Sequence, residues 1–121
     1  MNRQDRGRIA YQGGLVAEAL VASDYERRGR SVAHRRWRGQ AGEIDLILRD
    51  GTALIFVEVK HAESHAEAAE RLIAPQIARI FAAAEEFIGG EPEGLATEMR
   101  FDVALVDRQG RIDIIENAIG H

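Results

Sequence analysis

The stretch from Glu43 to Lys60 constrains this chain more than any other. Two apolar runs, EIDLIL (43–48) and ALIFVEVK (53–60), flank Asp50-Gly51, a pair that favours a tight hairpin turn. Branched and aromatic residues fill both runs, so each reads as a strand. With Asp50-Gly51 as the turn, Asp45 falls opposite Phe56 and Glu43 opposite Glu58. Side chains on a strand alternate faces, so Glu43, Asp45 and Ile47 share one face. Leu54, Phe56, Glu58 and Lys60 share a face on the next strand, and this register makes it the same face of the sheet. A slip of one residue would turn Asp45 to the other side.

Three carboxylates and an ammonium among Ile47, Leu54 and Phe56 are costly. Opposed like charges destabilise a sheet, and unpaired buried charges cost several kcal/mol, roughly. A hard divalent cation offsets that cost, because Mg²⁺ accepts one or two carboxylates and keeps several waters. Lys60 would then lie beside the cation, where it can orient a hydrolytic water or stabilise charge building on a phosphate. The competing reading is a simple salt bridge from Lys60 to Asp45 or Glu58 at the sheet's open end. The chain has no cysteine, which excludes disulfides, thiolate metal sites and a cysteine nucleophile.

The remaining elements follow from local pattern. Residues 1–12 are polar and expected to be loose; 13–121 form one domain. Helix formers run from Gly13 to about Arg28, and Gly29 is a natural stop. Strands are expected over 31–38, 43–48, 53–60, 99–106 and after the turn at Asp107–Gly110. Residues 61–72 are expected to be partly helical, and Pro75 suits the first turn of a helix ending near Ile88. The order αβββαβ(β) implies a sheet with helices packed on it. On the first helix Glu18 sits within a stripe of Gly14, Leu15, Val21, Ala22 and Tyr25, so it either pairs at the surface or aims at the carboxylates from the side. Gln76 opens the later helix near the same site and is otherwise a surface residue. Trp37 among Arg35, Arg36 and Arg38 suits stacking and charge on a single strand as well as it suits a core. His34, His61, His65 and His121 show no ligand spacing.

The net charge of −4 is uneven. Residues 1–38 carry nine arginines against four acids, a net +5, and the remainder carries −9. A basic third on an acidic body can face phosphate, or can be a solvated surface. No apolar run reaches the ~20 residues of a membrane span, and no signal-like stretch opens the chain, so a cytoplasmic protein without membrane contact is expected.

These blocks resemble the YraN family, which is related to archaeal Holliday-junction resolvases and the wider PD-(D/E)XK nucleases. The resemblance runs from Gly14 to Ala118 through GLVAE with Glu18, RRWR (35–38), GEIDLI (42–47), FVEVK (56–60), RFDV (100–103) and ENAI (116–119). It implies an α/β, restriction-endonuclease-like αβββαβ core, a mixed sheet of about five strands flanked by helices. It also implies that Asp45 and Glu58, with the carbonyl of Val59 and with Glu18 beside them, hold Mg²⁺ or Mn²⁺, and that Lys60 is the catalytic lysine. The chain departs from the family pattern at three places. Arg36 stands where Asn is usual, His61-Ala62 where a basic residue often follows EVK, and Gln76 where Lys usually opens the helix. RecB-type members of the superfamily use a Gln on that helix. The implied activity is a metal-dependent nuclease on DNA phosphodiesters, with Arg35, Arg36, Arg38 and Gln76 as nucleic-acid contacts. The alternative is a nucleic-acid-binding module of the same fold with little or no cleavage. A homodimer is left open.

Overall fold

The computed structural model describes residues 3–118, with side chains from residue 13 onward. Helix α1 (Arg3–Arg27) precedes three strands, β1 (Ser31–Arg38), β2 (Glu43–Asp50) and β3 (Ala53–His61). Helices α2 (His65–Glu70) and α3 (Ala74–Ile88) and a 3₁₀ turn (Gly94–Ala96) lead to β4 (Met99–Val106) and β5 (Ile112–Ile115). The first helix begins at Arg3, ahead of the expected Gly13. The expectation of a loose segment over 1–12 lies outside the described residues for its first two positions and for all twelve side chains. Ser64 caps α2 by accepting from the Glu67 amide at 3.2 Å, and Pro75 occupies the first turn of α3.

The five strands form one mixed sheet in sequence order, β1-β2-β3-β4-β5. All neighbours are antiparallel except β3 and β4, whose parallel pairing is closed by the α2–α3 crossover. Each sheet face is covered. Leu46, Leu48, Ile55, Val57, Ala104 and Val106 meet Ala17, Val21, Ala22 and Tyr25 of α1. On the other side, Ile47, Leu54, Phe56, Phe101, Val103 and Leu105 meet Ile80, Ala83, Ala84 and Ile88 of α3. Burial on both faces explains why the central strands read as nearly unbroken apolar runs. No helix among the described residues is long and apolar enough to cross a membrane.

The hairpin differs from the expected one in its turn. Asp50 pairs with Ala53, so the two loop residues are Gly51 and Thr52, and Gly51 supplies the positive φ of 63° that such a loop demands. The register therefore shifts by two residues. Asp45 falls across from Glu58 rather than Phe56, and Glu43 across from Lys60 rather than Glu58. A shift of two leaves every side chain on its assigned face, so the shared face of the charged residues survives the error.

The sheet forks near Asp45. Pairing of β2 with β3 runs from Asp50↔Ala53 to Leu46↔Val57. Beyond it, β2 stays paired with β1 as far as Arg38↔Glu43, while β3 stays paired with β4 as far as His61↔Val106. Facing Asp45 on β1 is Arg36, whose φ of 51° is left-handed. That conformation is uncommon for a residue with a long side chain and suits Asn better.

A buried polar knot ties α1, β4 and the chain end together. Asp102, with no exposed surface, accepts from Tyr25 Oη at 2.7 Å, from Arg100 at 3.0 and 3.2 Å, and from the Asn117 amide at 2.9 Å. Tyr25→Phe removes one of four donors and is expected to cost about 1–2 kcal/mol in urea unfolding. Asp102→Ala strands Arg100 and Tyr25 together and is expected to cost about 3–5 kcal/mol.

Candidate functional site

The fork opens a cleft of about 270 Å³ lined by Gly42, Glu43, Asp45, Glu58, Gln76, Arg79 and Ile80. Three elements supply its chemistry. From β2, Asp45 turns its carboxylate to β3 and accepts from the Val59 amide at 2.8 Å. From β3, Glu58 is buried at 7% exposure, and Lys60 Nζ lies 3.2 Å from its Oε1. From α3, Gln76 Nε2 donates to the same oxygen at 3.0 Å. The loop between β1 and β2 is fastened to α3 by Glu86, which accepts from the amides of Gln40 and Ala41 at 3.1 and 3.0 Å. A Cβ on Gly39 would lie 2.5 Å from that carboxylate and from the Trp37 ring, so any side chain there would displace one of them.

Burial pushes the Glu58 carboxyl up to about 8, helped by the neighbouring Asp45 charge and opposed by Lys60. Asp45 is raised by burial as well, against the Val59 amide, a hydrogen bond from Glu58 and the Lys60 charge. Burial, and for Glu58 the nearby Asp45 charge, thus favour the protonated forms. Glu18 on α1 is also raised, first by burial and then by Asp45, while its Oε2 accepts from Arg36 Nε at 3.0 Å. The Asp45 charge thus acts on Glu18 of α1 as well as on Glu58 of β3.

The structure brings Asp45, Glu58, Lys60 and Gln76 together at one end of the hairpin, with Glu18 close enough to sense Asp45. The arginines of β1 face other partners. Arg35 pairs with Glu26 at 3.9 Å, Arg36 with Glu18, and Arg38 with Glu43 at 3.1 Å. Trp37 packs edge-on against Phe87, with ring centroids 5.3 Å apart, and belongs to the core margin. Of the four histidines, His121 lies outside the described residues. Arg79 and Gly42 in the cleft wall were not among the residues singled out from sequence. The available signal for Arg79 was its spacing of three from Gln76, which puts both on one helix face.

Among the described residues, no three His, Asp or Glu side chains form a ready metal cage. The donor set instead offers two carboxylates, Asp45 and Glu58, on opposing strands. That number suits Mg²⁺, which fills most of its octahedron with water. The burial of both acids makes positive charge favourable between them.

Without a cation, Glu58 holds its proton more tightly in the folded chain than at its ordinary value of 4.5. The folded state therefore carries the extra proton between 4.5 and about 8, and stability falls as pH rises through that window. Thermal melts in a chelator are expected to show this fall. Glu58→Gln is expected to flatten it and to melt higher than the parent at the alkaline end.

The family model described as uncharacterised protein family UPF0102 matches residues 17–106, a span that contains Glu18 and the whole cleft. A UPF0102 protein of Cereibacter sphaeroides is 60% identical over 112 residues, covering 93% of this chain and 96% of its own. One from Ruegeria pomeroyi is 55% identical over 116 residues, covering 96% and 94%. Another, from Dinoroseobacter shibae, is 45% identical over 115 residues, covering 95% and 86%. These matches agree with the YraN resemblance at the level of the family, and the chain belongs to UPF0102.

Proposed function

We propose that this protein is a metal-dependent nuclease of the PD-(D/E)XK kind, acting in the cytoplasm on DNA phosphodiesters in the manner of a resolvase. The observation that carries the reading is the buried Glu58 carboxyl, held among Asp45, Lys60 and Gln76 where the sheet forks open. A fold gains no packing from such a cluster, and an apolar set of the same size would be more stable. The cluster makes sense as a binding site for a cation and a phosphate.

In this reading Asp45 and Glu58 hold Mg²⁺ or Mn²⁺, with the carbonyl of Val59 as a backbone ligand and Glu18 placed to hold a water. The bound cation supplies Lewis acidity toward a phosphate oxygen and lowers the pKa of water. Lys60 Nζ lies beside Glu58 at the cleft, where it would stabilise charge on the attacked phosphate. Gln76 steadies Glu58 through the amide hydrogen bond and fixes the direction of its carboxylate. Arg35 and Arg38 can still reach DNA, because their exposed ion pairs are weak and exchange readily.

Two measurements test the reading. Mg²⁺ or Mn²⁺ at millimolar concentration is expected to raise the melting temperature by mass action, and Asp45→Ala is expected to abolish the rise. A flat titration counts against the site. Cleavage of branched, single-stranded and duplex DNA is expected with either metal. Lys60→Ala is expected to lower the rate by about 10²–10³ while the metal-induced rise in melting temperature persists. A protein that shifts DNA but cuts none of these substrates would be a binding module of the same fold.

A further inference from the structure

The positive side chains of this protein are almost all spoken for. Every lysine and arginine from residue 13 to 118 except one has an acceptor oxygen within the chain. The exception among the described residues is Arg79, on the wall of the cleft. Its acidic neighbours there are already engaged. Glu43 pairs with Arg38, Asp45 accepts from the Val59 amide, and Glu58 is held by Lys60 and Gln76.

The position of Arg79 is fixed from below. It stands one turn beyond Gln76 on α3, on the same side of the helix. The β1–β2 loop rests directly on its backbone, since a Cβ on Gly42 would meet the Arg79 carbonyl at 3.5 Å and its Cβ at 3.6 Å. Glu86 anchors that loop to the same helix. Arg79 therefore rises at the lip of the cleft, exposed and without an ion pair among the described residues. A guanidinium is a planar fork of donors that matches two oxygens of a phosphate.

We infer that Arg79 binds a backbone phosphate of the substrate strand at the α3 lip of the cleft, beside the phosphate that is cut. This rests on the nuclease reading above. It makes Arg79 a binding residue that sets where the strand enters. The strand then passes between α3 and the forked hairpin, and the ion-paired arginines of β1 contribute less.

The test is fluorescence anisotropy with a labelled single-stranded DNA oligonucleotide and the matching duplex. Ca²⁺ replaces Mg²⁺ so that the strand is held uncut, and salt is varied. Arg79→Ala is expected to weaken binding about tenfold. It should also flatten the slope of log affinity against log salt by about 0.9 on duplex or about 0.7 on single strands, the loss of one phosphate contact. Arg79→Lys should keep the slope and recover part of the affinity. The melting temperature should not move, because the side chain is exposed and supports nothing. Arg108→Ala, which removes an equal charge paired with Glu63 elsewhere, should bind as the parent does. If Arg79→Ala binds like the parent with an unchanged slope, the inference is overturned and the nuclease reading stands. If the parent binds no DNA, both fall. If Arg79 governs binding but Mg²⁺ brings no cleavage, the phosphate contact holds and the nuclease reading fails.

Discussion

The layout of the cleft depends on one hydrogen bond, from the Val59 amide to the Asp45 carboxylate. That amide points toward β2, where an unbroken ladder would offer a backbone carbonyl. The side chain takes the carbonyl's place because β2 has already left β3 and followed β1. A buried amide must have a partner, so the strands can separate here only if a side chain supplies an acceptor. Asp45 does, and in doing so its carboxylate is drawn across the gap toward Glu58 and Lys60. The end of the ladder thus sets where the Asp45 carboxylate stands in the cluster.

The same gap lets two layers meet that a closed sheet would keep apart. In the closed part, α1 packs on one face through Val21 and Tyr25, and α3 packs on the other through Ile80 and Ala84. At the fork, Glu18 from α1 and Gln76 from α3 both act on the Asp45–Glu58 pair, one through charge and one through a hydrogen bond. The kinked Arg36 stands at this junction with a strained backbone and a bond to Glu18. Strain at such a place persists only where its surroundings over-determine it, and here the flanking pairs Arg35↔Leu46 and Trp37↔Ile44 do so.

Period-two alternation carried most of the sequence reading. It put Asp45, Glu58 and Lys60 on one face, and it would have done so in either of two registers differing by two residues. The turn itself was placed one residue early, because Asp50-Gly51 and Gly51-Thr52 both offer glycine its left-handed position. Local pattern could not reveal the fork, which arises from competition between β1 and β3 for the same strand. Nor could it find the Tyr25–Asp102 bond, which joins residues 77 apart. The arginines of β1 looked like free charge because their partners, Glu26, Glu18 and Glu43, are set by tertiary packing. The place of Arg79 likewise depends on tertiary packing, which pairs the acids around it with other partners.

The outer strands bear on a different problem. An open sheet exposes unpaired amides and carbonyls at each side, and a long flat edge invites another chain to add on. Here β5 is only four residues long, ending where the chain turns back to bond Phe101 through Ala118. At the opposite side β1 is longer, yet its register breaks between Val32 and His34, and its backbone kinks again at Arg36. Arg35 and Arg38 stand exposed along it, Arg38 at 78%. A neighbouring molecule would find no straight run of free hydrogen bonds there and would meet like charge on approach. The irregularity of β1 therefore makes this edge a poor template for a further strand.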